Sequence, residues 1–364
     1  QESRKIYDKY EELGRKLFGV QWQDDKSDWQ VLKKLSQWIV SLYDSIGEGE
    51  IPKGMNAVVR TEDGTFFKEI ETPTPENDEA LVKVKKAGVC GTDIAIHKGD
   101  FEVPTPIVMG HEFSGKVVEG SEEWIGKRVT SEINITCGKC RFCREGKPHH
   151  CLNREALGID VDGCFAEYVK VPEENLHEIP FSYVKGAFVE PLAAAIQTTK
   201  KTEISSGQNV LIMGCGRLGL LIIQVMKLLG ASVYAMDHND EKLELASSLG
   251  AVPVSSSQED LPGFDTIVEA TGSPNALNEA IELVDPTGTI ALKSTPGIPS
   301  EVDMSLVPRK EITIEGSRCG PFDEAIQLLK EEKVEIEEMV TGKFALKSFK
   351  KALEAPGIKN IFSI

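Results

Sequence analysis

The sequence predicts a mixed α/β and β chain. A mostly β segment carrying a cysteine-rich lobe is joined to an α/β segment with a doubly wound parallel sheet, and a helical extension precedes both. Three observations predict this. At 364 residues, the length sets a prior of two domains. Short strands between Gly and Pro turns fill residues 55 to 188, whereas β–α–β texture with apolar strands fills residues 189 to 319. Gly214, Gly216 and Gly219 stand as G-x-G-x-x-G where an apolar strand gives way to an apolar helix.

Taken in chain order, residues 1 to about 46 are helical in pattern. Ile6, Tyr10, Leu13 and Leu17 form one apolar stripe, and Ser27 with Gln30 makes a capping box ahead of Trp29, Leu32, Leu35, Ile39 and Leu42. This reads as a helical hairpin. GEGEIPKG at 47–54 is a linker by composition, so the extension and its linker span 1–54. From Met55, strands are expected in ALVKVKKAGVC, VVEG, KRVTSEINI and FAEYVKVP. NVLIMG, SVYAMD, TIVEATG and TIALKST read as buried parallel strands, and LGLLIIQVMKLLG as a packed helix. Two more helices, in DEAIQLLKEEK and SFKKALEA, lead to a chain end in FSI.

Composition removes several function classes. A net charge of −17 argues against nucleic acid or an anionic membrane as partner, since both require a basic face. No run approaches the ~20 apolar residues of a membrane span. QESRKIYDKY lacks the apolar stretch of an export signal. Eight cysteines without such a signal imply a reducing, cytoplasmic setting in which thiols serve as metal ligands.

Four of those cysteines, Cys137, Cys140, Cys143 and Cys151, are spaced C-x2-C-x2-C-x7-C on one short loop. Four thiolates suit a closed tetrahedral zinc that holds structure and leaves no position for substrate. Two disulfides are the alternative, and the reducing setting disfavours them. Cys164, Cys215 and Cys319 have no partner pattern and are expected to pack as small apolar groups.

The glycine motif, with Leu218 inside it, has the context of a dinucleotide site. Its first glycine permits a tight turn, its second lets backbone approach a pyrophosphate, and its third packs helix on strand. Asp237 closes the next strand about 20 residues on, where a carboxylate accepts hydrogen bonds from a ribose diol and repels a 2′-phosphate. NAD is therefore favoured over NADP. Lys242 is either near that ribose or an ordinary solvated lysine.

A second metal site is available from Cys90 in GVCGTD and His111 in MGHEFSG, with Glu112 and Glu190 as oxygen donors. Three such ligands leave one position open on zinc, as catalysis needs. A Lewis-acid metal there would lower an alcohol's pKa much as zinc lowers that of water from about 15.7 to roughly 7. Thr92 is placed to hydrogen-bond the alcohol oxygen and pass its proton outward, and Asp93 to orient His111 through its second ring nitrogen. Glu112 could instead be a buried carboxylate paired elsewhere. Glu190 could instead be a helix N-terminal charge beside Pro191. His97, His149 and His150 read as solvated loop residues.

The order Cys90-Gly-Thr-Asp, Gly110-His-Glu, four-cysteine lobe, Glu190-Pro and Gly214-x-Gly-x-x-Gly resembles the zinc-dependent medium-chain dehydrogenase/reductase family, over about residues 55 to 364. That resemblance implies a GroES-like catalytic domain (55–188 and 320–364) split around a Rossmann domain (189–319), with the active site between them. It implies two zincs per chain, NAD or NADP, a small alcohol or carbonyl substrate, and a homodimer or homotetramer. Cys90 and His111 match catalytic zinc ligands, Thr92 the proton-relaying hydroxyl, Glu112 a carboxylate that coordinates zinc in many members, and Glu190 the third protein ligand. Glutamate at that third position is similar to the polyol, sugar and threonine branch. Two departures are visible. Ala95 stands where some members carry a relay histidine, leaving His97 a candidate by proximity, and Gly120 arrives one residue early after Gly115. Residues 1–54 have no counterpart. Two rivals remain: a non-catalytic partner-binding protein acting through the helical extension, and a zinc-free quinone or enoyl reductase, a branch without the cysteine lobe or the Cys/His pair.

Overall fold

The computed structural model describes residues 50–294 and 299–364. The expected helical hairpin, with its capping box at Ser27 and Gln30, lies outside the described residues. Pro52–Ile364 forms one compact unit.

The first part is built around the strand Glu79–Gly88, which pairs antiparallel with Glu112–Glu119, with Tyr168–Pro172 and with Lys359–Ser363. Because both faces of this central strand are covered, Ala80, Leu81 and Val82 are buried consecutively rather than alternately. The hairpin Gly54–Thr61/Gly64–Glu71 forms a smaller sheet beside it with Ile107–Val108. Strand pairing thus returns the chain's last strand to its first part across 271 residues of separation, from Gly88 to Lys359.

The second part is a six-stranded parallel sheet. Its spatial order is Val252–Pro253, Ser232–Met236, Asn209–Met213, Phe264–Glu269, Val284–Leu292 and Thr313–Gly316. Numbered along the chain this is 3-2-1-4-5-6, the doubly wound order whose switch point lies at the carboxyl ends of strands 1 and 4. Strand alternation splits the core: Val210 and Ile212 face one apolar cluster, Leu211 and Met213 the other. Helix Arg217–Leu228 is buried from Gly219 through Met226 because the sheet and the helix Val189–Lys201 cover it from different sides. Helix Phe322–Lys330 packs on Val189–Lys201 in the same core. Among the described residues no helix is long and apolar enough to cross a membrane.

Candidate active site

Register assembles the first cluster. Gly88 lies opposite Glu112 on one side and Ile361 on the other. Cys90, two residues past Gly88, His111, one before Glu112, and Lys359, two before Ile361, therefore meet at one end of one sheet. The donor atoms of Cys90, His111 and Glu112 all lie within 4.8 Å of one another. His111 is 4% exposed and Glu112 1%, so these polar groups are turned inward for one another.

Cys90 caps the helix Gly91–Lys98 in extended conformation, and its backbone N–H donates to Asp93 Oδ2 at 2.7 Å. Asp93 Oδ1 lies 3.5 Å from His111 Nδ1, and both atoms are buried without a hydrogen bond. Burial pushes Asp93 up to about 6 despite the opposing charge of His111. Burial pulls His111 down, but Asp93, Cys90 and Glu190 outweigh it and raise the imidazole to about 9. Burial raises the Cys90 thiol, but His111, Arg217 and Lys359 bring it well below its ordinary value. A ring with Asp93 on one nitrogen and the Cys90 sulfur near the other, surrounded by buried anionic donors, is the arrangement a divalent cation satisfies. Thr92 Oγ1 lies 3.9 Å from Cys90 Sγ.

The two glutamates differ. Glu112 is paired through Oε2 with Lys359 Nζ, which also donates to the Val89 carbonyl at 3.2 Å. Burial lowers Lys359 to about 8, opposed by Cys90 and Asp93. Glu190, second in the helix Val189–Lys201, stands outside the 4.8 Å group but close enough for its charge to act on His111. Burial raises it to about 7, with His111 and Lys293 acting in the other direction. It accepts no hydrogen bond among the described residues. Lys293 is pushed down to about 8 by burial, and its Nζ donates to the carbonyls of Ser317 and Arg318, each at 3.1 Å.

The cysteine lobe holds Cys137, Cys140, Cys143 and Cys151 with sulfurs 3.5 Å (Cys140–Cys143), 3.5 Å (Cys137–Cys151) and 3.9 Å (Cys140–Cys151) apart. A tetrahedron of Zn–S bonds about 2.3 Å long has edges of about 3.8 Å, close to these three separations. All eight cysteines are free thiols. Backbone N–H groups of Cys137 and Asn153 donate to Cys151 Sγ at 3.4 Å, and that of Lys139 helps bring Cys137 down to about 6.

At the dinucleotide motif, Gly214 has φ +95°. A side chain at Gly219 would sit 1.9 Å from the Gly214 carbonyl, while the same position on Gly216 meets nothing within 4 Å. The second glycine thus faces open space where a pyrophosphate would approach, and the third is a packing contact. Leu218 packs against the core. Asp237 accepts from the N–H of Cys215 at 2.7 Å and of Asn239 at 3.0 Å, tying the glycine loop to the next strand end. Lys242 is half-buried, with its N–H on Asn239 Oδ1 at 3.0 Å.

Sequence reasoning missed Lys359, Lys293 and Arg217. Lys359 alone carried a signal, a lysine inside the apolar terminal strand KNIFS, which calls for a buried anion. Cys164 and Cys215 pack fully buried as expected. Cys319 does not. It is half-buried, and its sulfur accepts from Asn134 Nδ2 at 3.1 Å. His97 faces Glu354 at 3.7 Å and the edge of Phe349.

Known proteins share these elements. Residues 76–181 match the alcohol dehydrogenase GroES-like domain, and residues 218–331 the zinc-binding dehydrogenase domain. L-threonine 3-dehydrogenase of Bacillus licheniformis is 33% identical over 82% of this chain and 95% of its own length. Sorbitol dehydrogenase of Halalkalibacterium halodurans is 34% identical over 83% and 96%. A protein of Sinorhizobium meliloti 1021 assigned as a zinc-binding dehydrogenase, bound to NADP, superposes with TM-score 0.80 at 31% identity, over 86% of this chain and 100% of that one. With the Cys90/His111 cluster, the four-cysteine lobe and the glycine loop in place, this chain belongs to the zinc-dependent medium-chain dehydrogenase/reductase family.

Proposed function

We propose that this protein is a zinc- and NAD-dependent dehydrogenase that interconverts a secondary alcohol of polyol, sugar or amino-alcohol type with its carbonyl. The observation that carries this reading is the pair Cys90 and His111, with donor atoms within 4.8 Å of each other beside the dinucleotide loop, and Glu190 close enough for its charge to act on His111. Zinc held there would supply Lewis-acid stabilisation of negative charge on the substrate oxygen, and NAD in the glycine-loop site would supply the hydride acceptor.

The chain's own residues do the rest. Cys90 and His111 hold the metal, and Glu190 completes the set because Glu112 is engaged by Lys359. Asp93 fixes the His111 ring through Nδ1. Thr92 hydrogen-bonds the substrate hydroxyl and relays its proton outward, accepting one proton as it gives up its own. Gly214, Gly216, Leu218 and Gly219 shape the coenzyme loop, with Asp237 at the adenosine ribose and Lys242 near it. Asp237 would repel a 2′-phosphate, which favours NAD although the Sinorhizobium protein holds NADP. Cys137, Cys140, Cys143 and Cys151 hold a second, structural zinc. In this reading residues 55–188 and 320–364 form the catalytic domain and 189–319 the coenzyme domain, in a cytoplasmic homodimer or homotetramer.

Metal analysis of the full chain should give two zincs per chain, and Cys90→Ser one. NADH formation over polyols, sugars, amino-sugar alcohols and threonine should fall about a thousandfold in that variant, the scale of several kcal/mol of charge stabilisation. NADH binding should persist. Full activity in Cys90→Ser would overturn the assignment.

A further inference from the structure

We infer that Arg217 grips the pyrophosphate of the bound dinucleotide, holding it between the first turns of two helices. The inference rests on the dinucleotide reading above. Arg217 opens the helix Arg217–Leu228 directly after Gly216, the glycine that faces open space. Its guanidinium crosses to Gly91, the first residue of the helix Gly91–Lys98, where an added side chain would sit 2.7 Å from Arg217 Nη2. Gly91 therefore lies against the guanidinium, which brings the opening turns of both helices, with their free N–H groups, to either side of one cation.

Three further observations point to an anionic ligand. Arg217 is half-buried, yet makes no hydrogen bond or ion pair among the described residues. A guanidinium has five donors in a planar fork that matches phosphate oxygens, and here that fork is free to meet them. The chain as a whole is strongly anionic, with net charge −17. A doubly charged pyrophosphate needs a local cation to enter such a field. The other buried cations are committed, Lys359 to Glu112 and the Val89 carbonyl, Lys293 to the carbonyls of Ser317 and Arg318. Arg217 leans toward Cys90 rather than toward Asp237, which places it at the diphosphate and not at an adenosine 2′-phosphate.

The test is titration of the zinc-loaded full chain with NADH and NADPH, followed by nicotinamide fluorescence, with ADP-ribose as a competitor lacking nicotinamide. Arg217→Ala should weaken NADH and ADP-ribose together by about 10- to 100-fold, the scale of a charge-assisted hydrogen-bonded pair. Arg217→Lys should recover part of the affinity, since it keeps the charge but not the fork. The dependence of NADH affinity on salt should flatten in Arg217→Ala. Zinc content and thermal unfolding should match the parent, and Arg217→Gln carries the comparison should the alanine variant not fold. Equal NADH affinity in parent and variants would overturn the inference while leaving the dinucleotide site intact. A loss confined to NADPH would overturn it in favour of a 2′-phosphate contact. A parent chain that binds neither dinucleotide would overturn the site reading and this inference with it.

Discussion

Lys359 and Glu112 are both closed off from solvent, at 1% exposure each, where the terminal strand meets the strand that follows His111. Two charges in such a place hold each other by necessity: either alone would be an uncompensated ion in a poor solvent. Lys359→Met should therefore cost about 3 kcal/mol of unfolding free energy, and the pair Lys359→Met with Glu112→Leu should recover most of it. Denaturant unfolding of both variants checks this, and an unchanged single variant would show that the pair carries no such burden. The same residue shows where reading by motif stopped. Cys90, His111 and Glu112 sit in short recognisable strings, whereas Lys359 has no string, and its partner lies 247 positions away.

Elements were legible wherever periodicity had one cause. The expected helix LGLLIIQVMKLLG is found as Arg217–Leu228, and the four expected parallel strands each lie in the parallel sheet. The short strand Leu176–Glu178 was not singled out, because three residues carry no pattern. Its His177 lies 3.4 Å from Glu132 and 3.1 Å from Asp323 of the helix Phe322–Lys330, beside the ring of Phe322. Burial pulls His177 down, but Glu132 and then Asp323 outweigh it, so its folded pKa stands above the ordinary 6.5. A raised folded pKa stabilises fully below the unfolded value and is lost as pH rises through the folded one. Parent and His177→Asn should therefore differ most below the ordinary value of 6.5, by about 0.5 kcal/mol for a partly screened pair, and converge as pH rises through the folded pKa above it. Thermal unfolding across that range measures it, and a gap that widens with pH would refute the pairing.

On the scale of the whole molecule, Pro52–Ile364 has its own sheets, its own cores and both groups of residues that could hold a metal. A chain beginning at Pro52 should thus fold and bind NADH within about twofold of the full chain, since the site's apolar support lies inside that unit. Loss of binding on removing residues 1–51 would return the weight to a role for the extension. Three of the four tryptophans lie in those residues, so intrinsic fluorescence reports on them separately. The linear chain was enough to identify the chemistry: ligand types, their spacing, the glycine loop and the acidic residue that follows it are local strings whose physical meaning needs few neighbours. Folding settled which groups share a charge. Antiparallel register at Gly88 brought Lys359 to Glu112, while helix placement left Glu190 without a hydrogen-bond partner among the described residues and laid Arg217 across Gly91. Such pairings depend on strand register and helix placement over hundreds of residues, and buried electrostatics falls steeply enough with distance that spacing along the chain cannot stand in for it.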